Sequence, residues 1–380
     1  MVYMNNKFDD IRPYVDSEIA EAMNRISTNP LFPTLSSFVF PDRDVQEVKD
    51  MIRNINNIYD FQVKVMHEAN LKIIEKSISN FSYEGIEYID KNKKYLYVSN
   101  HRDIMLDASL MQSILLNNKI DTTEITFGAN LMEGELVIDV GKSNKMFRVE
   151  RPGGSIREFY KASKHLSEYI RTTILEKKQS VWIAQRNGRT KDGLDSTDQG
   201  IINMFRMSYT EDKVKSIVDL NILPVAVSYE WEPCDILKTI ELYMQKQGPY
   251  IKKKGEDLNS ILTGILQYKG NVHFEFCEPL SLDEVILYKD LTSNDFNKQI
   301  ATLIDKRIWN AYHLTPNNYI AYDLLNNCNI YESKYTIEQK EKFISYMSQL
   351  DSYKDQCNVV ELKNIFLGIY SNPINVKKGN

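Results

Sequence analysis

Short apolar runs alternate with helix-periodic stretches between about residues 81 and 280. The runs are too short for helices and are bounded by polar residues, so each predicts a buried strand. They cover residues 95–98, 125–128, 181–184, 222–227 and 272–276. Strands that alternate with amphipathic helices, such as the stretch at 156–177, are typical of a mainly parallel sheet flanked by helices. The sequence therefore predicts an α/β domain over residues 81–280.

The segments on either side of this domain show helical patterns. In residues 1–80, Asp44 is a predicted N-cap, and apolar residues follow it at spacings of three and four up to Tyr59. Three prolines interrupt this segment, namely Pro30, Pro33 and Pro41. In residues 281–380, helices are predicted over 295–312 and 337–350. We expect these helical N- and C-terminal extensions to pack on the α/β domain.

Composition argues against several classes of protein. The net charge of −5 is unlike that of a nucleic-acid-binding protein. No apolar run approaches the roughly 20 residues of a membrane-spanning helix, and the polar N-terminus is unlike a signal peptide. The four cysteines are scattered without a C-x-x-C pair, which fits reduced thiols in a cytoplasmic protein. We expect a bacterial, cytoplasmic protein that contacts a membrane only peripherally, at its inner face.

A histidine stands where the first of these strands ends. His101 follows the run at 95–98, and two carboxylates, Asp103 and Asp107, follow it within two helical turns. Strand ends are where rigid scaffolds usually present reactive groups. An imidazole can take a proton from a hydroxyl while a nearby carboxylate fixes its tautomer and stabilises the imidazolium. Taken alone, however, the segment is explained better by a loop histidine with a local hydrogen bond.

Two later segments place cations beside glycines next to predicted strands. One carries Arg148 and Arg151 before a glycine pair, and the other carries Arg186, Arg189 and Lys191 in a glycine-containing turn. Arginine forks and backbone amides of such turns suit phosphate. Each segment alone would pass for a charged surface turn. Their order in one α/β domain, after the histidine–acid pair and before a proline-led strand at 222–227, indicates a site.

These blocks, taken in order, resemble the glycerolipid acyltransferase family, which makes phosphatidic acid and its lyso precursor. Residues 100–107 resemble the family's His-x4-Asp block. Residues 145–151 resemble a second block that ends in a phosphate-binding arginine, a role that would fall on Arg151. Residues 186–193 resemble a Glu-Gly-Gly-Arg-Ser block, in which Gly188 and Arg189 match. The fourth block is a Val-Pro-Val-type strand that helps to shape the acyl site, and it resembles residues 222–225, which include Pro224.

The chain departs from the family pattern in two places. Five residues, not four, separate His101 from Asp107, and Asp103 lies too early to fit the spacing. The third-block glutamate is missing, since Arg186 and Asn187 occupy the possible positions. In the family that glutamate helps to place the polar substrate. The acceptor is therefore open between a glycerol phosphate and a lyso-aminolipid, in which a carboxylate replaces phosphate.

The resemblance, which covers about residues 85–280, implies an O-acyltransferase of phospholipid biosynthesis. It would move a fatty acyl group from an acyl carrier protein or coenzyme A thioester to a hydroxyl of glycerol 3-phosphate or a lysophospholipid. His101 would be the general base and Asp107 its orienting acid. The candidate substrate-binding residues are Arg102, Asp103, Arg148, Arg151, Gly188, Arg189, Lys191 and Pro224. No metal and no cofactor would be needed, because the thioester is already activated.

Two other classes of function stay open at this point. A metallohydrolase would need clustered ligands, but the remaining histidines show no ligand-like spacing; they are His67, His165, His273 and His313. A non-catalytic lipid-binding protein would have little reason to place a histidine–acid pair beside basic turns.

Overall fold

A seven-stranded sheet forms the centre of the protein, for which the computed structural model describes residues 6–150 and 155–379. The strands are β1 (Ile78–Glu84), β2 (Leu96–Ser99), β3 (Glu124–Gly128), β4 (Met146–Val149), β5 (Val181–Ala184), β6 (Ile222–Tyr229) and β7 (Gly270–Phe276). Their order in the sheet is β1-β7-β6-β2-β5-β3-β4. All neighbouring pairs are parallel except β6 and β7. The predicted mainly parallel α/β fold is confirmed.

The N-terminal segment is helical up to Ser77. Its helices are α1 (Asp16–Thr28), α2 (Phe32–Val39), α3 (Val45–Arg53), α4 (Ile58–Phe61) and α5 (Glu68–Ser77), and a π-helical turn (Gln62–His67) joins the last two. Asp44 caps α3, as predicted, by accepting a hydrogen bond from the Gln46 amide. The helix predicted to continue to Tyr59 ends at Arg53. Asn57 has an extended backbone conformation, and its side chain caps a new helix. The predicted boundary at residue 80 falls inside β1, a strand too rich in polar residues to be recognised.

Helices cover both faces of the sheet. Those that follow the central strands are α6 (Leu106–Asn117), α7 (Glu135–Ser143), α8 (Ile156–Leu175), α9 (Gln199–Arg206), α10 (Lys213–Val218), α11 (Asp235–Gln247) and α12 (Glu256–Leu266). Along β2, Leu96 and Val98 join one apolar cluster, while Tyr97 joins a second cluster on the opposite face. A sheet buried on both faces needs continuous apolar strands, which is why short unbroken runs identified them in the sequence.

The C-terminal extension packs closely on this domain. It contains α13 (Leu282–Ile286), α14 (Ser293–Ala311), α15 (Pro316–Leu325), α16 (Ile337–Met347) and α17 (Val359–Lys378). Helix α14 lies against β6, and α17 packs on α11 and α15. The buried Asp305 of α14 accepts hydrogen bonds from the amide (2.7 Å) and the hydroxyl (2.6 Å) of Thr197. Among the described residues, no helix is both long and apolar enough to cross a membrane.

The Asp305 contact predicts a pH-dependent stability. Burial raises the pKa of Asp305 from 3.8 to about 6, so between these values the folded chain holds a proton that the unfolded chain has released. The stabilisation from this group is present below about pH 4 and is lost as the pH rises through 6. Asp305→Asn keeps the acceptor oxygen without the charge. Its free energy of unfolding should therefore rise relative to wild type between pH 4 and 6, by at most about 3 kcal/mol.

Urea unfolding at several pH values measures this difference. Asp283→Asn, which changes an exposed acid of α13, is the control for a general charge effect. A difference between Asp305→Asn and wild type that does not vary with pH would contradict the prediction.

Candidate active site

The loops that carry the predicted site lie together at one edge of the sheet. Strands β2 and β5 are parallel neighbours, with Ser99 paired to Ala184, so the segments that follow them leave the sheet side by side. Two backbone hydrogen bonds join these segments: the Gln185 amide donates to Ser99 (2.7 Å) and the Thr190 amide donates to His101 (2.7 Å). The histidine block and the basic turn are therefore held against each other by the backbone.

His101 contacts Asp107 directly. The imidazole Nδ1 lies 2.9 Å from Asp107 Oδ2, in a geometry that places the proton on Nδ1. Within the part of the chain that the structure describes, Nε2 has no hydrogen-bond partner. The His101 side chain is 14% exposed, and its ring meets the edge of the Trp182 ring at a centroid distance of 5.8 Å. A partly accessible imidazole with a free basic nitrogen and an oriented tautomer can accept a proton from a bound hydroxyl.

Asp107 is the centre of a larger hydrogen-bond network. Its Oδ2 also accepts from the backbone amides of Arg102 (2.6 Å) and Asp103 (2.9 Å), and its Oδ1 accepts from the Tyr229 hydroxyl (2.8 Å). The fifth intervening residue is accommodated because His101 lies in the loop, whereas Asp107 lies in the first turn of α6. The regular helical geometry that would place the two side chains apart does not apply across this loop.

Asp103 has a different set of contacts. Its Oδ1 accepts from the amides of Met105 (2.9 Å) and Leu106 (2.8 Å), which are donors at the start of α6. Its Oδ2 is buried without a hydrogen-bond partner among the described residues. Burial, and next the charge of Asp107, raise the pKa of Asp103. Asp103 thus caps the helix, and Asp107 pairs with the imidazole.

Arg102 lies in a buried ionic cluster that the sequence did not reveal. Its guanidinium contacts Asp195 at 2.6 Å and Glu232 at 3.1 Å, and Lys238 contacts Glu232 at 2.5 Å and the Arg102 carbonyl at 2.7 Å. All four side chains are at most 3% exposed, and the Tyr312 ring lies beneath the guanidinium. A role for Arg102 in binding substrate stays a prediction, and it would have to coexist with these ion pairs.

The basic turn after β5 lies beside the histidine loop. Gly188 has a φ of +75°, which favours glycine over other residues. Arg189 lies near enough to Asp103 and Cys234 to act on both electrostatically. Its Nη1 is buried without a hydrogen-bond partner among the described residues. Lys191 forms an ion pair with Glu241, and burial lowers the pKa of this lysine.

Three predicted residues lie farther from the imidazole or outside the described chain. Arg148 is on the edge strand β4, three strands from β2 and thus roughly 14 Å away, and it pairs with Glu150 at the surface. Pro224 is buried in β6, paired with Val98 of β2. Arg151 lies in the segment 151–154, outside the described residues. Roles for all three in binding substrate stay predictions.

Comparison with known proteins agrees with the geometry. The family model Acyltransferase matches residues 80–228, the part of the chain that carries the histidine loop and the basic turn. This part of the chain is similar to the acyltransferase family. No curated protein matches the chain in sequence. A solved structure that resembles it is the 1-acyl-sn-glycerophosphate acyltransferase PlsC from Thermotoga maritima, with a TM-score of 0.36 and 14% identity over 76% of this chain and 94% of that chain. A likeness this distant adds nothing about the substrate.

Outside the candidate active site, the structure brings together side chains that are distant in sequence. Ligand atoms of Glu84, His273 and Glu275 lie within 4.8 Å of one another on the neighbouring strands β1 and β7. The ring of His313 lies 5.1 Å from that of His273. Histidine spacing along the chain did not indicate this group, because parallel strands far apart in sequence form it. Exposed acidic groups are common without a metal, and the expectation that the enzyme needs none stays a prediction.

The network around Asp107 predicts different effects for the two acids. Asp107→Asn should keep the melting temperature, because an amide oxygen can accept from the loop amides while the NH2 group faces Tyr229. It should lower kcat at least roughly 100-fold, because the oxygen that remains toward the imidazole no longer carries the negative charge that stabilises the imidazolium. Steady-state kinetics and thermal melting measure both effects.

The matched control is Asp103→Asn. Asparagine caps helices as well as aspartate does. Oδ2 of Asp103, which does not accept from the helix amides, has no hydrogen-bond partner among the described residues that an amide nitrogen at this position would lose. This variant should therefore stay active. An inactive Asp103→Asn together with an active Asp107→Asn would show that the acids have the opposite roles.

Proposed function

We propose that the acyltransferase domain transfers a fatty acyl group from an acyl thioester to a hydroxyl of glycerol 3-phosphate or a lysophospholipid. The donor would be acyl carrier protein or coenzyme A carrying the acyl chain. The observation that supports this most is the His101–Asp107 pair, whose open Nε2 lies in a loop held against a cationic turn. The pair suits deprotonation of a hydroxyl, and the turn suits an anionic group on the same acceptor.

In the proposed reaction, His101 Nε2 takes the proton as the acceptor oxygen attacks the thioester carbonyl. The tetrahedral intermediate collapses, the carbon–sulfur bond breaks, and the leaving thiolate takes the proton from the imidazolium. Asp107 holds the tautomer and stabilises the positive charge between these steps. General base assistance of this kind contributes roughly 10²–10⁴-fold to the rate, and positioning of the two substrates can contribute more.

Arg189 is the proposed ligand of the acceptor's anionic group. Its buried Nη1 has no hydrogen-bond partner among the described residues, so a phosphate oxygen would satisfy a donor that the protein leaves open. Lys191 would assist if its ammonium group exchanged the ion pair with Glu241 for one with the anionic group of the acceptor. Arg151, which lies outside the described residues, is a further candidate for this role. The missing third-block glutamate favours testing an acceptor with a carboxylate beside those with a phosphate.

The acyl chain is proposed to lie on apolar side chains near His101. Trp182 touches the imidazole, and Met105 and Ile265 are partly buried against the same apolar cluster. Pro224 would contribute to this surface from β6. No cofactor or metal enters the scheme, since the thioester supplies the activated carbonyl.

His101→Ala should lower turnover by at least roughly 100-fold with the fold intact by circular dichroism, since the general base is removed. The assay is mass spectrometry of products formed from purified protein, acyl thioesters and a panel of acceptors with phosphate or carboxylate groups. His165→Ala is the control, because the partners of that histidine within the described residues are Asp10 and the Phe8 ring, neither of which belongs to the candidate site. Transfer by His101→Ala at the wild-type rate would reject the mechanism, and no transfer by wild type to any acceptor would favour a lipid-binding protein.

Arg189→Lys should raise the KM for the acceptor more than the KM for the thioester, because lysine cannot bind an oxyanion with two parallel donors. Arg157→Lys, at an exposed position of α8, controls for the change of residue type. If only the KM for the thioester rises, Arg189 binds the phosphate of the donor instead.

A further inference from the structure

Helix α12 faces the opposite way from an ordinary surface helix. Its buried positions are the small residues Ser260 and Gly264. Its outward positions are leucines that recur every fourth residue: Leu258 is 58% exposed, Leu262 is 50% exposed and Leu266 is 66% exposed. Residues at this spacing lie one above another on a helix, so the three form a continuous ridge, roughly 12 Å long. This leucine ridge contributes little to the folded core.

The small inner face has a physical cause at the active site. A Cβ atom on Gly264 would clash with the carboxylate of Asp103, so the helix backbone lies directly against the histidine loop. The Cys234 thiol also donates to the Ser260 carbonyl at 3.2 Å. The helix meets the loop through small residues, with Ile265 partly buried beside them, and its leucines lie on the outer face.

A cationic segment precedes the ridge. Ile251 is 85% exposed, and Lys252, Lys253 and Lys254 follow it at exposed positions. Lys252 pairs with Asp257 at 2.5 Å, whereas neither Lys253 nor Lys254 forms an ion pair within the described residues. Burial lowers the pKa of Lys191, Glu241 opposes this shift, and the charge of Lys252 adds to the lowering, which indicates that Lys252 is near the basic turn. Glu256 and Asp257 follow the three lysines, so residues 251–257 have a net charge of +1 in a chain whose net charge is −5.

We propose that the leucine ridge and the lysine segment 252–254 dock the protein on an anionic lipid surface, with the active site facing the lipid. The leucines would enter the boundary of the acyl region, and the lysines would contact headgroup phosphates. Apolar insertion combined with electrostatic attraction is how interfacial helices bind membranes. A convex ridge of leucines fits a lipid phase better than it fits the polar surface of an acidic protein. Docking does not depend on the reaction, whereas lateral delivery of a lipid acceptor to His101 rests on the proposed function.

The test is flotation of the full chain with vesicles of phosphatidylcholine, with and without phosphatidylglycerol, at low and high salt. Wild type should float with the anionic vesicles, and salt should reduce the bound fraction because it screens the lysines. The triple variant Leu258→Gln, Leu262→Gln, Leu266→Gln should lose at least tenfold in bound fraction. The matched control is Leu282→Gln, Ile286→Gln, Leu287→Gln, on α13 and at its C-cap, where the side chains are 50%, 41% and 75% exposed. This control should float like wild type.

Other outcomes are equally decisive. Vesicle binding by the ridge variant at the wild-type level would overturn the proposal. If that variant binds vesicles normally but shows a raised KM for an acyl carrier protein thioester, the surface binds an acidic protein and the proposal is wrong. Leu262→Gln alone replaces the triple variant if circular dichroism shows that the triple variant does not fold, and it should then lose at least threefold.

Failure of docking is distinguishable from failure of the proposed function. His101→Ala should float like wild type, because docking needs no catalysis. The ridge variant should keep wild-type turnover with a water-soluble acceptor and lose it only with an acceptor embedded in vesicles. Loss of turnover with both acceptors would place the ridge in the catalytic site and overturn its role as a lipid surface.

Discussion

The carboxylate of Asp107 is the contact on which the site depends. One buried side chain accepts hydrogen bonds from an imidazole, two loop amides and a tyrosine hydroxyl. A buried carboxylate is costly unless its lone pairs are satisfied, and here each oxygen has at least one donor. The loop amides have no partner of this kind in an unfolded chain, so folding and orientation of the imidazole are coupled. Formation of the loop therefore orients the imidazole through the single hydrogen bond between Nδ1 and Asp107, and Nε2 stays free of hydrogen bonds within the described residues.

The ionic cluster around Arg102 supports this loop from behind. Two cations and two carboxylates are buried together, so the cluster is neutral, and removal of one member would leave an unpaired buried charge at a cost of about 3–5 kcal/mol. Asp195 comes from the segment after β5 and Glu232 from the segment after β6, while Tyr312 and Tyr370 of the C-terminal extension contact Arg102 and the Glu232 amide. The extension thus closes the back of the cluster. The family match ends at residue 228, so these contacts come from a part of the chain outside it.

Much of the fold could be predicted from sequence, because burial on both faces leaves an unbroken apolar run in the strand. Residues 181–184 were predicted with their observed bounds. Strand β1 was missed because Ser79, Asn80 and Ser82 interrupt its apolar pattern. Strand β4 was recognised only through the arginines at its C-terminal end. In the site, a motif of local spacing identified His101 and Asp107. The partners of Arg102 come from positions more than 90 residues away, and no local pattern could indicate them.

The position of α12 follows from the same constraint that fixes the loop. Asp103 must cap α6 so that the next turn places Asp107 under His101, and this leaves its second oxygen buried without a partner. Only a backbone without a Cβ can pass so close to that oxygen, which makes glycine necessary at position 264. A helix that packs through glycine and serine cannot bury leucines on the same face. Because Ser260 and Gly264 occupy the face of α12 that meets the histidine loop, its leucines lie on the outer face, where burial in an apolar phase would be favourable.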